Sequence, residues 1–379
     1  MDFEFSKEQE MMRKMTRDFV ENEVVPYAGQ WDKDNYFPQD VVDKMLDIGL
    51  TTVGVPAEYG GSGLDHLTQN LVMEELARGD AGLATTICAS TLLAADPILI
   101  AANQEQKKWW YGLQNEGALG GFCLTEPGAG SDAGGISTRC IKDGDNYILN
   151  GSKQFISNGG VAGVYTVFAT TDKKLGKKGM CCFMVDRNTP GITIGPKEDK
   201  LGIRSSNTTS VIFEDAKVPA KNLLGAEGDG FKIAMQTLDL SRASVAAMAV
   251  GICQASLEAS VKYAKERVQF GKPIASFQAI QFMLADMAQY TQAARLLYLQ
   301  ASSNQDAGIP FTQIASLAKG FAGDAAMKIA TDAVQVFGGY GYSKEYPVEK
   351  YFRDAKIMQI FEGTSEIQRI VIANDLLRA

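Results

Sequence analysis

The chain has 379 residues, 45% of them apolar, and a formal net charge of −8 at pH 7. This length and apolar content supply material for two or three hydrophobic cores. With 37 Lys and Arg against 45 Asp and Glu, no cation surplus exists to neutralise phosphates, which excludes nucleic acid as a general partner.

The N-terminal Met1 to Ser6 segment is acidic and lacks the basic and apolar regions of a signal peptide, so export is not expected. Residues 5 to about 118 predict helices. Met11, Met12, Met15, Phe19 and Val20 recur at helical spacing, a short helix carrying Val41, Met45 and Ile48 follows Pro38, and further helices fit Leu67 to Arg78 and Ala81 to Ala95. From Gly120 to about Gly225 the chain is written in strand-length pieces separated by Gly, Asn, Asp and Pro. They are Asn146 to Leu149, Val164 to Ala169, Met180 to Val185, Ile192 to Ile194 and Ser210 to Phe213. No helical pattern separates them, which favours an antiparallel barrel or sandwich over a doubly wound parallel sheet. Helical periodicity returns in Phe231 to Arg267, Phe277 to Asn304, Thr312 to Phe337 and Val348 to Ile360, broken at Gly271-Lys272-Pro273, Gly308-Ile309-Pro310 and Gly338-Gly339. Four such helices predict an up-and-down bundle. The sequence therefore divides into an N-terminal helical domain (1–119), a middle β domain (120–226) and a C-terminal helical bundle (227–379), an α+β multidomain architecture.

Six cysteines lie without CxxC spacing, so a reduced, cytoplasmic protein with no metal site is expected, and adjacent Cys181 and Cys182 face opposite ways on a strand. The longest apolar run, Ala243 to Cys253, falls short of a membrane span, so no membrane insertion is expected. His66, the single histidine, sits in a glycine-rich loop without partner residues and reads as structural or solvated.

Several segments carry chemistry. Near the C-terminus, Glu362 stands on a short polar break between two apolar runs, with Ile357, Ile360 and Phe361 before it and Ile367, Ile370 and Val371 after it. Burial there would raise the carboxyl pKa and make it a proton acceptor near neutrality; alternatively Thr364 or Ser365 caps a helix and Glu362 is solvated. The run Glu126 to Ala133 formally matches G-x-G-x-x-[GA] but does not turn from a strand into a helix, so it fails as a nicotinamide fingerprint. It remains either an amide nest for a cofactor or an ordinary wide turn. Asp239 and Arg242, three apart on one helix, suit a surface ion pair or the grip of an anionic ligand. Arg267 to Pro273 ends one helix at a tight turn, where the arginine suits phosphate binding or an ordinary helix C-cap, and Gln335 to Tyr342 leaves a helix into three glycines and two tyrosines, where backbone can approach a flat ligand.

Taken together, these motifs resemble the acyl-CoA dehydrogenase family from end to end. The resemblance rests on the T-E-P-x-x-G-S-D type loop (Thr125 to Asp132), the strand segment Gly151 to Asn158, the R-x-x-F-G turn (Arg267 to Gly271), the G-G-x-G-Y turn (Gly338 to Tyr342) and the E-G-T-S-E-I-Q-R run (Glu362 to Arg369). It implies FAD between the β domain and the bundle, and Glu362 as the base that takes the α-proton of an acyl-CoA thioester while flavin takes hydride from Cβ. It assigns cofactor contacts to Phe122, Cys123, Leu124, Thr125, Glu126, Gly130 and Ser131, to Phe155, Ile156 and Ser157, and to Thr364, Ser365 and Glu366. Arg267, Phe270, Gln278, Gln335, Val336, Phe337, Gly338 and Gly339 would serve the FAD of a neighbouring subunit, which implies a homodimer or a dimer of dimers (homotetramer). Ser131, Asp239, Leu240, Ser241, Arg242 and Gly363 would bind the CoA ester. Phe155 stands where many relatives carry tryptophan, so any hydrogen bond from an indole N–H does not carry over. The resemblance implies an electron-transferring flavoprotein as redox partner and a short-chain, butyryl-like substrate, with the enoyl-CoA reductase direction open and an oxygen-using oxidase or a non-catalytic scaffold as rivals. The acyl pocket is expected near Cys88 to Leu92 and Ala246 to Gly251; Met248 beside small residues could admit an arylpropenoyl group.

Overall fold

The computed structural model describes residues 4–378, so the first half of the Met1 to Ser6 segment lies outside the described residues. Helix α1 (Lys7–Phe19) is opened by a reciprocal cap in which the Ser6 hydroxyl accepts from the Gln9 N–H and the Gln9 side chain accepts from the Ser6 N–H. A π-turn carries it into α2 (Val25–Asp34), and α3 (Gln39–Asp47) follows Pro38. Then come α4 (His66–Gly79), α5 (Ala81–Cys88), α6 (Asp96–Ala101) and α7 (Gln104–Asn115). The expected single helix from Ala81 to Ala95 is instead α5 followed by a π-turn over Ala89–Leu93, a register change that hydrophobic periodicity does not encode.

The sheet contains β1 (Gly120–Cys123), β2 (Arg139–Asp143), β3 (Asn146–Ser157), β4 (Val164–Thr170), β5 (Met180–Asp186), β6 (Ile192–Ile194), β7 (Thr208–Pro219) and β8 (Leu223–Leu224). Their order is β6-β7-β3-β2-β4-β5-β8, with β1 on β4. Most pairs are antiparallel, as expected, but β1 runs parallel to β4 and β2 meets β4 in parallel at Arg139, so the sheet is mixed. Parallel pairing is possible there because the β2–β3 hairpin intervenes between β1 and β4 as a long crossover. Strands β3 and β7 are each twelve residues long, and their pairing shifts register at Leu149/Gly151 and Lys153/Ile156. Those irregularities are why the sequence shows only short apolar pieces of each. Cys181 and Cys182 do face opposite ways, into separate apolar clusters.

The remaining elements are α8 (Gly230–Glu266), the small β9 (Val268–Gln269) and β10 (Lys272–Pro273) hairpin, α9 (Gln278–Asp306), α10 (Thr312–Phe337), α11 (Val348–Ala355) and α12 (Ser365–Leu376). Helix α8 is the central pillar and packs on α4, α9 and α10. Gly251 lies so close to α4 that a Cβ there would fall 2.4 Å from the Glu74 carbonyl oxygen. The fourth bundle helix differs from expectation: Val348 to Ile360 stops at Ala355, passes through one 3-10 turn and yields to α12 after a break. The apolar run is periodic through Ile360, but the chain must reverse at Glu362 and Gly363, whose φ values are +53° and +96°. Two stretches, Ala81–Ala101 and α8, are long and apolar enough to cross a membrane, contrary to the reading of run length alone. They are 83% and 72% buried inside the protein over the relevant window, which makes them core helices.

Buried ions fasten the C-terminal helices to the rest. The Lys350 Nζ sits 2.9 Å from Asp80 and 2.6 Å from Asp354, while Asp354 also accepts from the Ile203 N–H at 2.5 Å. The Arg353 guanidinium holds Asp32 of α2 at 2.6 Å. Thus α11, which leads into the Glu362 break, is fixed against both the N-terminal helices and the loop before β7.

Candidate active site

After the 3-10 turn, the N–H groups of Ile360 and Phe361 both donate to the Ile357 carbonyl, at 2.8 and 3.1 Å, and the chain swings into its two left-handed residues. The Thr364 hydroxyl then accepts from the Ile367 N–H at 3.3 Å and caps α12. The cap is real, yet Glu362 is not a solvated bystander. The residue is half-buried, and its Oε2 is shut off from solvent with no hydrogen-bond partner. Burial pushes its carboxyl up to about 7, against the opposing pull of the Ser241 hydroxyl, Lys319 and Arg242. A carboxylate with one oxygen enclosed and unpartnered, titrating near neutrality, is suited to accept a proton from carbon.

Helix α8 forms one wall. Arg242 is buried, pairs with Asp239 and donates to Ser316 Oγ at 3.3 Å, while Asp239 accepts from Thr312 Oγ1 at 2.9 Å. The arginine end of the pair is therefore interior, while Asp239 stays partly exposed, so this is not an ordinary surface ion pair. Ser241 between them is buried and turned to Glu362, and Leu240 is half-buried. The other wall was only half visible in the sequence. Burial first, and then the Glu362 charge, push both the Cys88 thiol and the Asp96 carboxyl well up. Cys88 belongs to the expected acyl-pocket segment; Asp96 was missed because a residue before proline at a helix start reads as an ordinary boundary. Met248 is fully buried in the core of the α4–α8 crossing.

The glycine-rich loop is braced from behind by a residue the sequence reading also missed. Lys153, fully buried on β3, donates to Glu126 at 2.7 Å and to the Leu124 carbonyl at 3.1 Å. Glu126 further accepts from the Ser137 N–H and hydroxyl, each at 2.6 Å, and the Thr138 N–H at 2.9 Å. Although burial works against ionisation, Lys153 and these donors draw the Glu126 carboxyl down to about 2. Burial outweighs Glu126 on the lysine side and lowers Lys153; the short contact and the donor set favour the ionised pair. The Glu126 side chain is thus committed to the loop, and the Cys123 thiol is buried in the sheet core, so these two expected cofactor residues offer only backbone. Phe122 packs edge-on to Phe168, Leu124 is buried, and the Thr125 carbonyl accepts from the Gln154 N–H at 2.9 Å. Gly128, Gly130 and Ser131 lie open at the surface. Phe155 adopts φ +58° and is 63% exposed, while Ile156 is buried and Ser157 half-buried. A large aromatic held left-handed and uncovered is a backbone outlier of the kind concentrated at binding sites.

Two further clefts complete the picture. Arg267 closes α8 with its guanidinium 5.2 Å above the Tyr340 ring, in a cleft of about 610 Å³ with Val336, Phe337, Gly338 and Gly339. The Val336 and Phe337 side chains are buried, whereas Gln335, Gly338, Gly339 and Gln278 are exposed and Phe270 is 92% exposed. A second cleft, about 460 Å³, is lined by Thr364, Ser365 and Glu366 with Asp324 and Gln359. Neither cleft includes a residue from 122–157. The fold brings Ser241 and Arg242 of α8 to Glu362, which Thr364 to Glu366 follow in the chain; within one chain it leaves the Arg267 and Gln335 turns in a separate cleft. His66 bonds Asp306 through its ring Nδ1 at 2.7 Å, tying α4 to the end of α9, a structural role as expected.

Models of the acyl-CoA dehydrogenase N-terminal, middle and C-terminal domains match residues 6–113, 121–216 and 228–377. An acyl-CoA dehydrogenase of Bacillus subtilis is 50% identical over 373 residues, covering 98% of each chain. An acryloyl-CoA reductase (NADH) of Anaerotignum propionicum is 47% identical over 381 residues, covering 100% of this chain and 96% of the relative. Among solved structures, butyryl-CoA dehydrogenase from Megasphaera elsdenii superposes with a TM-score of 0.98 at 48% identity, with both chains fully covered. A chain from a structure described as the electron transferring flavoprotein of Acidaminococcus fermentans gives 0.98 at 47%, again with full coverage of both. Matched by all three domain models and superposed on butyryl-CoA dehydrogenase over its whole length, the chain belongs to the acyl-CoA dehydrogenase family.

Proposed function

We propose that this protein is an FAD-dependent short-chain acyl-CoA dehydrogenase that interconverts an acyl-CoA and its trans-2-enoyl-CoA, with Glu362 as the proton-transferring group. The observation that carries the reading is the Glu362 carboxyl, enclosed, without a donor on Oε2 and titrating at about 7. An α-proton beside a thioester is weakly acidic, so its base must be desolvated and the developing enolate oxygen must meet donors. The Glu362 main-chain N–H has no acceptor among the described residues and is available for that oxygen.

The residues present fit FAD. Exposed Gly128, Gly130 and Ser131 offer backbone N–H groups, Phe155 presents an exposed ring on the strand whose Gln154 N–H bonds the Thr125 carbonyl, and the cleft lined by Thr364 to Glu366 follows Glu362 in the chain. Bound there, FAD would supply the acceptor for the hydride leaving Cβ. The Arg267 cleft, with its glycine turn and guanidinium, suits a pyrophosphate carried by a neighbouring copy, which supports a homodimer or dimer of dimers. Arg242 and Asp239 would orient the CoA ester beside Glu362, and Gly363 and Ser131 would line its path. An electron-transferring flavoprotein is the redox partner this reading requires, and with domains divided at 119/120 and 226/227 the flavin would lie between the β domain and the bundle.

Anaerobic titration of the purified flavoprotein with butyryl-CoA tests the reading: bleaching of the oxidised flavin band supports it, and a colourless protein or an inert flavin overturns it. The likeness to an acryloyl-CoA reductase favours a second reading, in which the same site runs toward the saturated product and Glu362 returns the proton. Comparison of crotonyl-CoA reduction with butyryl-CoA oxidation, and of each with an arylpropenoyl-CoA, assigns direction and acyl class.

A further inference from the structure

Helix α10 runs alongside the Glu362 break and grips both of its flanks. Gly323 lies so close to the chain before the break that a Cβ would fall 2.7 Å from the Met358 carbonyl oxygen. Asp324 accepts from Gln359 Nε2 at 2.7 Å on that side and from Ser365 Oγ at 3.2 Å on the other. Between them stands Lys319, fully buried, whose Nζ donates to the Gly363 carbonyl at 2.6 Å. The same carbonyl accepts from Gln368 Nε2 at 2.9 Å, and a Cβ on Gly363 would sit 2.7 Å from that nitrogen. Lys319 has no carboxylate within ion-pair distance among the described residues, which is unusual for a buried ammonium. Its direct acceptor is the carbonyl adjoining the base, in the second of two consecutive left-handed residues.

We propose that Lys319 is a positioning residue for the reaction: its ammonium pins the strained Glu362–Gly363 turn through the Gly363 carbonyl, which holds a positive charge on the residue next to the base. The inference rests on the reading of Glu362 as the base. The groups facing Glu362 are Ser241 and Arg242 from α8, Lys319 from α10, and Cys88 and Asp96 from α5 and α6; Asp239 faces Arg242, and Asp324 and Glu366 of α12 face Lys319. Burial draws Lys319 down to about 8, opposed chiefly by the Glu362 charge, so the cation is present on the acid side of the Glu362 titration, where the foot of the limb lies. Arg242 acts on Glu362 in the same sense, but its charge is engaged by Asp239.

The test is anaerobic flavin reduction by butyryl-CoA from pH 5.5 to 9 in Lys319→Met, Lys319→Gln and Lys319→Arg holoenzymes. Loss of the neighbouring cation raises the pKa of the base, so in the Met and Gln variants the rising limb should move up by about one pH unit, a roughly tenfold loss at the foot of the limb. The Gln variant should keep more of the plateau rate through its amide donor, and the Arg variant should return the limb to the wild-type position. A limb that stays in place in the neutral variants while only the plateau falls would make the lysine merely structural and sink the proposal. So would failure of both neutral variants to fold with flavin, which would make it a folding residue. Failure of the underlying reading is distinguishable, because Glu362→Gln would then reduce flavin at the wild-type rate whatever Lys319 does.

Discussion

Two glutamates in this chain each lie near a buried lysine, and the fold gives them opposite characters. Glu126 receives Lys153 directly together with donors from Ser137 and Thr138, and its carboxyl is drawn down to about 2. Glu362 has Lys319 nearby, but that ammonium is spent on the Gly363 carbonyl, Oε2 is left without a donor, and the carboxyl rises to about 7. The lesson is that a buried cation in the neighbourhood does not decide a carboxylate's role. The number of donors placed on its oxygens does, because burial favours the neutral acid unless hydrogen bonds to the charged form repay it. Glu126 is thereby a brace, and Glu362 is left with the character that the proposed proton transfer needs.

The largest effect should come from removing the proton carrier. Glu362→Gln should keep its fold and flavin yet lose about 10²- to 10⁴-fold in the rate of flavin reduction by butyryl-CoA, read by stopped-flow absorbance. Retention of the wild-type rate would break the comparison at its more important end. The corresponding change at the brace, Lys153→Met, leaves a buried carboxylate without its cation, and urea unfolding should show a loss of about 3–5 kcal/mol. A loss below 1 kcal/mol would mean that the backbone donors alone sustain Glu126.

The two carboxyls also predict stability slopes of opposite sign. Glu126 titrates below its unfolded value, so its stabilisation is present above pH 4.5 and fades as pH falls toward 2; the penalty of Glu126→Gln should shrink over that window. Glu362 titrates above its unfolded value, so the folded state holds its proton more tightly between pH 4.5 and about 7, and its contribution is lost as pH rises through that range. Melting temperatures of Glu362→Gln relative to wild type should therefore rise from pH 5 to pH 8, and a flat difference would contradict the assigned burial. For the oxidation rate, the same titration predicts a limb that climbs roughly tenfold per unit below pH 7 and levels above it. The smallest effect concerns the cap beside the base. Thr364→Ala should cost about 1 kcal/mol in thermal unfolding without moving the pH limb, since the hydroxyl serves the Ile367 N–H and not the carboxyl.

Much of this molecule was legible before any coordinates. The alternation of helical and strand-length patterns placed helices, sheet and helices in order, because burial periodicity is a local property of the chain. The break around Glu362 was visible as well, since a polar acid with glycine and hydroxyls interrupts apolar runs on both sides. What the sequence left undecided was every property that depends on partners distant along the chain. Whether Asp239–Arg242 lay on the surface was settled by Thr312 and Ser316 of α10 closing over it. Glu126, a residue of the glycine-rich loop, was turned away by a lysine 27 positions later on β3. Lys319 and Asp96 carry no local signature, and they matter only because α10 and α6 are brought to the Glu362 break. The sequence by itself determined the order of helical and strand-rich regions and singled out Glu362 as the candidate acid. Tertiary structure alone decided which carboxylate is desolvated and which is satisfied, because desolvation and donor count are sums over neighbours that only the folded chain assembles.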